Sequence, residues 1–384
     1  MNLPYSHPAV EASAVFLTRN ATHGVRPMEA ADLQAVGRLF NKAFRNKDEA
    51  PQQDLVDYLD RVFLKCPGYA PEHGSIVHQD HQGRIDSALL ALPMPFFVYG
   101  RRITARLLCA FMADGKTGLA GAARLARTIR LSQPDLCFSD NASPVSADHW
   151  TTGGGFMLPV QSLEWRRTFR PFQAGFDRLR RKLPAGSHLP LSTSLKPADF
   201  LARHFFGTFT PREPVGGTSI EADFDDFVTC AATMTERFAI RPDWSRDDLL
   251  WLMDTAASNI SLGRLRCKRV LNTKGTTIGC YLFFGKPGRT AHVLNILCRE
   301  GHEFEVVGHM FADLSASGYS AAHGMAQPFL MNALMRQRQM SFRHRGYFCM
   351  VTRHKDIREA ATGNDIFVGG LASESWSRLL TDFA

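Results

Sequence analysis

The sequence predicts an α/β (α+β) chain in which a mixed, mainly antiparallel sheet flanked by helices occurs twice in tandem. Three observations predict it. A strand-like start and two amphipathic helices precede three successive strand-like runs; the last of these passes through a glycine-rich turn into a helix; and the same order returns more faintly in the C-terminal part. At 384 residues the chain is also long for one hydrophobic core, which favours two compact units.

The first elements lie in GVRPMEAADLQAVGRLFNKAF, Gly24 to Phe44. Val25 and Arg26 begin a short strand, and after Asp32 the side chains Leu33, Val36, Leu39, Phe40 and Phe44 recur at helical spacing. In PQQDLVDYLDRVFLK, Pro51 suits a first helical turn, and Leu55, Tyr58, Leu59, Val62 and Phe63 form one stripe. Three strands follow, Ser75 to Gln79, Ile85 to Val98 and Ile103 to Met112. His81-Gln82-Gly83 and Tyr99-Gly100 separate them, which makes an antiparallel meander. GKTGLAGAARLARTIR, Gly115 to Arg130, is then a helix opened by small residues, and DLCFSD is a further strand.

Later, CKRVLNTKGTTIGCYLFFG reads as a hairpin around Lys274-Gly275, AHVLNILC as a strand, and EFEVVGHMFADLSASG as a helix ending at Gly318. A strand-like YSAAHGMA, a helix around FLMNALMRQ and the alternating FRHRGYFCMVT complete the repeat. The stretch from Ser187 to Gly217, rich in Pro, Gly, Ser and Thr, reads as a connection. The expected organisation is an N-terminal unit over residues 1–186 with a polar leader over 1–23, a connecting segment over 187–217, and a C-terminal unit over 218–384.

Composition narrows the function classes. The longest apolar stretch, Ser87 to Gly100, is too short to span a bilayer and is interrupted by Pro93 and Pro95. The N-terminus lacks a basic region followed by an apolar one, so a cytoplasmic chain is expected. Eight cysteines without a CxxC pair read as buried reduced thiols. His78 and His81 read as polar turn residues, and no metal site is expected. The net charge of +8 favours an anionic partner: nucleic acid, an anionic membrane surface or a phosphorylated cofactor. The densest basic cluster, WRRTFRPFQAGFDRLRRK from Trp165 to Lys182, reads as a solvated connector helix packed through Phe169, Phe172 and Phe176, and DNA is not an expected partner.

The strand, glycine-rich turn and helix in succession have a chemical use. Backbone N–H groups in such a turn and the positive end of the helix dipole form a site for phosphate oxygens, and glycine lets a ligand approach the backbone. Gly115, Lys116, Thr117, Gly118, Leu119, Ala120 and Gly121 would form this cradle.

The whole succession, from GVRPMEAADLQAVGRLFNKAF to DLCFSD, resembles the GNAT (GCN5-related N-acetyltransferase-like) superfamily of acyltransferases from its first strand to its fifth. The resemblance implies that the turn binds the pyrophosphate of acyl-CoA through Arg or Gln, two residues, Gly, one residue, then Gly or Ala. Gly118 and Ala120 match; Gly115 stands where Arg or Gln is expected, with Lys116 beside it to supply the charge. It further implies that Phe111 and Met112 pair with the pantetheine amides, and that Asn141 contacts the cofactor. Many members use a tyrosine after the fifth strand to protonate the departing thiolate, but none occurs between Tyr99 and Tyr281. Ser143, Ser146 and His149 are the candidate substitutes, of which His149 is the best matched by its ordinary pKa of about 6.5.

By architecture the tandem units also resemble FemAB-type transferases. The leading expectation is transfer of an acetyl or other acyl group from acyl-CoA to a small-molecule, sugar or peptide amine, or to a hydroxyl, by direct attack in a ternary complex. Asp140, His149 and Glu164 are the candidate catalytic residues in a groove between the halves. A FemAB-like transferase using aminoacyl-tRNA and a non-catalytic binding protein of the same fold are the alternatives.

Overall fold

A computed structural model describes residues 24–132, 134–180, 195–212 and 214–383; the expected leader lies outside them. The chain divides into two compact units. Among the described residues, the first holds those up to Met157 together with Cys349–Glu359 and Phe383, and the second holds Leu158–Phe348 and Ala360–Asp382.

In the first unit β1 (Val25–Pro27) leads to α1 (Leu33–Arg45). Asp32 fixes the junction: its carboxylate accepts the N–H of Glu29 and both terminal guanidinium nitrogens of Arg26, at 2.6 and 2.7 Å. Desolvation works to raise the Asp32 pKa, but Arg26 and the Glu29 amide outweigh it and hold the group ionised. The helix buries Leu33, Val36, Leu39 and Phe40 and ends at Asn46 in the left-handed conformation, φ 54°. The predicted stripe of the next helix is buried in α2 (Gln53–Phe63).

The meander follows as β2 (Ile76–Gln79), β3 (Ile85–Val98) and β4 (Arg101–Ala113). Positive φ at both Tyr99 (47°) and Gly100 (78°) gives the β3–β4 turn the twist a tight hairpin requires. Pro93 and Pro95 fall where β3 has outrun β2, whose pairing reaches only Leu89. Then come α3 (Leu119–Leu131), β5 (Leu136–Ala142), α4 (Pro144–Thr152) and β6 (Phe156–Met157).

The second unit opens with β7 (Leu163–Thr168) and the helices α5 (Pro171–Arg180) and α6 (Lys196–Phe205). It continues with β8 (Thr218–Ala222), α7 (Phe224–Met234), β9 (Ile240–Pro242) and α8 (Arg246–Ala257). Capping boxes start α7 and α8, Asp223 with Asp226 and Ser245 with Asp248. The predicted hairpin is β10 (Arg264–Leu271) with β11 (Thr277–Gly285), followed by β12 (Thr290–Cys298), α9 (Glu303–Ala316), β13 (Ala321–Met325), α10 (Met331–Met335) and β14 (Met340–His344). Trp165, Tyr281, Phe283 and Phe311 centre its core. The last elements are β15 (Tyr347–Val351) and α11 (Lys355–Thr362).

The two sheets repeat one order. The first runs β1-β2-β3-β4-β5-β15-β6 and the second β8-β10-β11-β12-β13-β7-β14. In each, one parallel pair, β4 with β5 or β12 with β13, follows the antiparallel strands, because α3 or α9 carries the chain back across the sheet. The sixth place in each sheet is filled from far along the chain, by β15 in the first and β7 in the second.

This differs from the expected 1–186, 187–217 and 218–384. The division falls at Met157/Leu158, and α6 lies inside the stretch read as a connection. Residues 165–168, read as the start of a connector helix, belong to the strand Leu163–Thr168, which pairs with Ala321–Met325 and Met340–His344. Phe169 is buried as expected, whereas Phe172 is exposed.

Candidate functional site

In the first unit β4 and β5 pair only through Ala105–Leu107 and Leu136–Phe138. They then diverge into a wedge, and from Leu108 to Ala113 the paired strand of β4 is β3. Within this stretch Cys109 is the extra residue of a bulge, which bends the strand. Since β4 and β5 run parallel, their C-terminal ends share one edge of the sheet, and the turns that start α3 and α4 both leave from it.

The first of those turns is the predicted cradle. Its frame is backbone: the Asp114 N–H donates to the Asp86 carbonyl at 2.8 Å and the Gly118 N–H to the Asp114 carbonyl at 3.0 Å. Gly115, Lys116, Thr117, Leu119 and Ala120 are exposed, while Gly118 and Gly121 are buried. Leu119, Ala120 and Gly121 form the first turn of α3, where N–H groups have no intrahelical acceptor and the dipole is positive.

The glycines divide by role. A Cβ on Gly118 would stand 2.4 Å from the Asp86 carbonyl oxygen, and one on Gly121 would stand 2.5 Å from both His78 Nδ1 and Asp86 Oδ1. Both let α3 settle close on the meander. Gly115, at φ 50°, would bring a Cβ near nothing, so its backbone conformation alone favours glycine there.

Thr117, Ala120 and Arg124 border an open cavity of about 960 Å³, walled also by α1 and by the β2–β3 hairpin. Lys42 of α1 pairs with Asp114, setting a cation against the carboxylate at the start of the turn. Beneath α3, Arg124 Nη1 lies 3.0 Å from His78 Nε2, and His78 Nδ1 lies 2.7 Å from Asp86 Oδ1. An arginine only donates, so Nε2 accepts and the ring donates from Nδ1 to Asp86. The sequence reading put His78 beside His81 in a polar turn; His78 is buried and only His81 is exposed. His78, Asp86 and Arg124 were missed because their association depends on where α3 packs.

Of the other predicted residues, Phe111 is exposed and Met112 buried, on alternate sides of the free half of β4. Asp140 is fully buried on β5, and Asn141 beside it is exposed. The cap of α4 is Ser143, which accepts the Ser146 N–H, and His149 is exposed on that helix.

Glu164 lies elsewhere, on β7 of the second unit. Its carboxylate accepts from Arg343 Nε at 2.8 Å and meets His323 Nδ1 at 3.0 Å; His323 Nε2 is 3.3 Å from His292 Nδ1. Desolvation works to raise its pKa, but His323 and then Arg343 bring it to about 2. Burial, with His323 and Arg345 adding to it, holds the His292 pKa well below the ordinary imidazole value. The structure therefore gathers Asp140, Asn141 and His149 on β5 and α4 and pairs Glu164, on β7, with His323 and Arg343.

The second unit has a matching wedge. β12 and β13 pair through Thr290–Val293 and Ala321–Gly324 and then part. Residues 366–371 fill the gap. Asn295 donates to the Gly369 carbonyl at 3.3 Å and accepts the Leu371 N–H at 2.9 Å, while Gln327 donates to the Val368 carbonyl at 2.7 Å. Ile366, Phe367, Val368 and Leu371 are buried, and a void of about 20 Å³ remains beside Trp165 and Phe367. The fit requires glycine: Gly370, at φ 60°, would place a Cβ 2.3 Å from the Leu294 carbonyl oxygen.

No protein-family model and no curated protein sequence matches the chain. Solved structures do. A GCN5-related N-acetyltransferase from Anabaena variabilis aligns with a TM-score of 0.53 at 10% identity, over 85% of this chain and 71% of its own. One from Kribbella flavida gives 0.51 at 10% identity over the same shares. A conserved protein of unknown function from Enterococcus faecalis, described as a probable N-acyltransferase, gives 0.52 at 12%, again over 85% and 71%. At such identities the likeness concerns the fold, and the fold of this chain is that of the GNAT acyltransferases.

Proposed function

We propose that the chain transfers an acyl group from acyl-CoA to an amine, or to a hydroxyl, by direct attack in a ternary complex. The observation that carries this reading is the wedge in the first unit, where the free half of β4 runs into an exposed turn at a helix N-terminus. In this reading the main chain around Phe111 and Met112 holds the pantetheine amides. The N–H groups of residues 116, 117 and 119–121 hold the diphosphate, those of Gly115 and Gly118 being bonded within the turn, with the Lys116 ammonium adjacent. Asn141, exposed at the end of β5, contacts the cofactor.

Catalysis of this kind rests on orientation and on polarising the thioester carbonyl, not on a covalent nucleophile. The acceptor's lone pair forms the new bond to the acyl carbon, and the carbon–sulfur bond breaks. His149 gives the departing thiolate its proton, Asp140 orders the polar groups beside the wedge, and the proton lost by the acceptor passes to solvent.

The test is thermal unfolding with acetyl-CoA and longer acyl-CoAs. An aspartate at position 118 would be ambiguous, because any side chain there strikes the Asp86 carbonyl. Ala120 is exposed, so Ala120→Asp sets a carboxylate against the amides and leaves the packing alone. The wild type is expected to be stabilised by acyl-CoA and Ala120→Asp not, the variant melting no lower than the wild type in buffer because a carboxylate in the first turn of α3 suits the helix dipole. Absence of any shift in the wild type would remove the donor assignment.

A further inference from the structure

The pair α5 and α6 presents its apolar side chains outward. A helix packed on a folded unit normally turns its apolar stripe inward. In α6 the buried residues are Asp199 and Ala202, whereas Phe200, Leu201 and Phe205 are 71%, 52% and 72% exposed. With 3.6 residues per turn these three cover an arc of about 140°. Phe206, just after the helix, and Phe172 and Leu179 of α5 are each more than half exposed as well.

The ionic residues of the pair are sorted by sign. Both acids are buried and engaged: Asp199 accepts the N–H groups of Phe172 and Gln173 at 2.8 and 3.1 Å, and Asp177 meets Arg289 at 3.0 Å and the Ser320 hydroxyl at 3.1 Å. Among the described residues, the ionic side chains with access to solvent here are cations: Arg178, Lys196, Arg203 and, just beyond, Arg212. The basic cluster seen in the sequence continues into this face, and nothing in the acyl-transfer reading uses it.

We infer that the α5–α6 face docks on the surface of an anionic lipid bilayer. The rings enter the boundary between headgroups and acyl chains, while guanidinium and ammonium groups meet lipid phosphates. A wide arc of separately directed rings suits a fluid surface, which moulds to it, better than a preformed groove. Docking of this kind leaves the protein on one side of the bilayer, and no described helix is long and apolar enough to cross it. The inference is independent of the donor assignment.

Vesicle sedimentation of the full chain tests it. The chain is expected to pellet with vesicles of phosphatidylcholine containing phosphatidylglycerol, about tenfold or more better than with phosphatidylcholine alone, and less well as salt rises. Phe200→Ser with Phe205→Ser should weaken binding by at least about tenfold. Arg178→Gln with Arg203→Gln should weaken it to a similar extent and flatten the salt dependence. These side chains have access to solvent, so melting temperatures should match the wild type. Failure of the wild type to pellet, equal pelleting with both lipids, or an unchanged phenylalanine variant would overturn the proposal. So would self-association in solution that the phenylalanine variant abolishes while vesicles capture nothing, which would make the face a contact between copies.

Discussion

The wedges between β4 and β5 and between β12 and β13 share one construction and end differently. Each begins as a short parallel pair, parallel because a helix returns the chain over the sheet, and then opens. The second is closed by residues 366–371, with Asn295 and Gln327 bonded to its main chain. At the first, β4 carries the exposed Phe111 and runs into the exposed residues 115–117. A strand that loses its neighbour leaves N–H and C=O groups that something must satisfy. One unit fills the gap with its own C-terminal segment, tied to the strands through the Asn295 and Gln327 side chains; the acyl-transfer reading gives the other's edge to a ligand.

Substitutions and pH can break or sharpen this comparison. The largest effect is expected at Gly370. A valine there combines an unfavourable positive φ with a collision against the Leu294 carbonyl, and should cost about 4 kcal/mol in denaturant unfolding. A cost below about 1 kcal/mol would mean that the segment is not held as described.

Next comes the acid limb. The Glu164 carboxyl is lowered from 4.5 to about 2 in the folded chain, so the unfolded chain binds the proton more readily between those values. The stabilisation is fully present above pH 4.5 and is lost as pH falls towards 2, amounting to about 3 kcal/mol. Glu164→Gln should flatten that part of the stability–pH curve. His292, lowered for a different reason, acts in the same direction: its contribution is complete above pH 6.5 and declines as pH falls towards its depressed folded-state value.

At the open wedge, acyl-CoA at 100 times its dissociation constant should add about 2.7 kcal/mol to stability, and Ala120→Asp should remove that gain. The smallest effect is expected at Gly115. Alanine there meets no atom and bears only the left-handed backbone penalty, about 1 kcal/mol. The contrast between positions 115 and 370, alike in φ, then reports surrounding structure and not intrinsic preference.

The elements from β1 to β5 were legible because their signals are local: apolar spacing in α1 and α2, a turn dipeptide at Tyr99-Gly100, and small residues opening α3. β7 was misread because its alternation of apolar and charged residues is completed only by β13 and β14, more than a hundred residues later. The same distance hid His323 and Arg343, the partners of Glu164. The sequence displays Gly118 and Gly121, but only the packed helix shows what a Cβ at each would strike. Residues 366–371 carry no periodic pattern, since they are held by Asn295 and Gln327 and form neither helix nor long strand.

The placement of β15 between β5 and β6 has a consequence for how the molecule is made. A ribosome delivers six strands of the first sheet early and the strand that closes it almost last, so the nascent chain must wait with one edge of β5 unpaired while the second unit is synthesised. Such an edge is a template for unwanted strand addition. Stalled or truncated products that end before residue 347 should accordingly be the aggregation-prone forms of this protein, and a split at the boundary between the units should not yield a soluble N-terminal half.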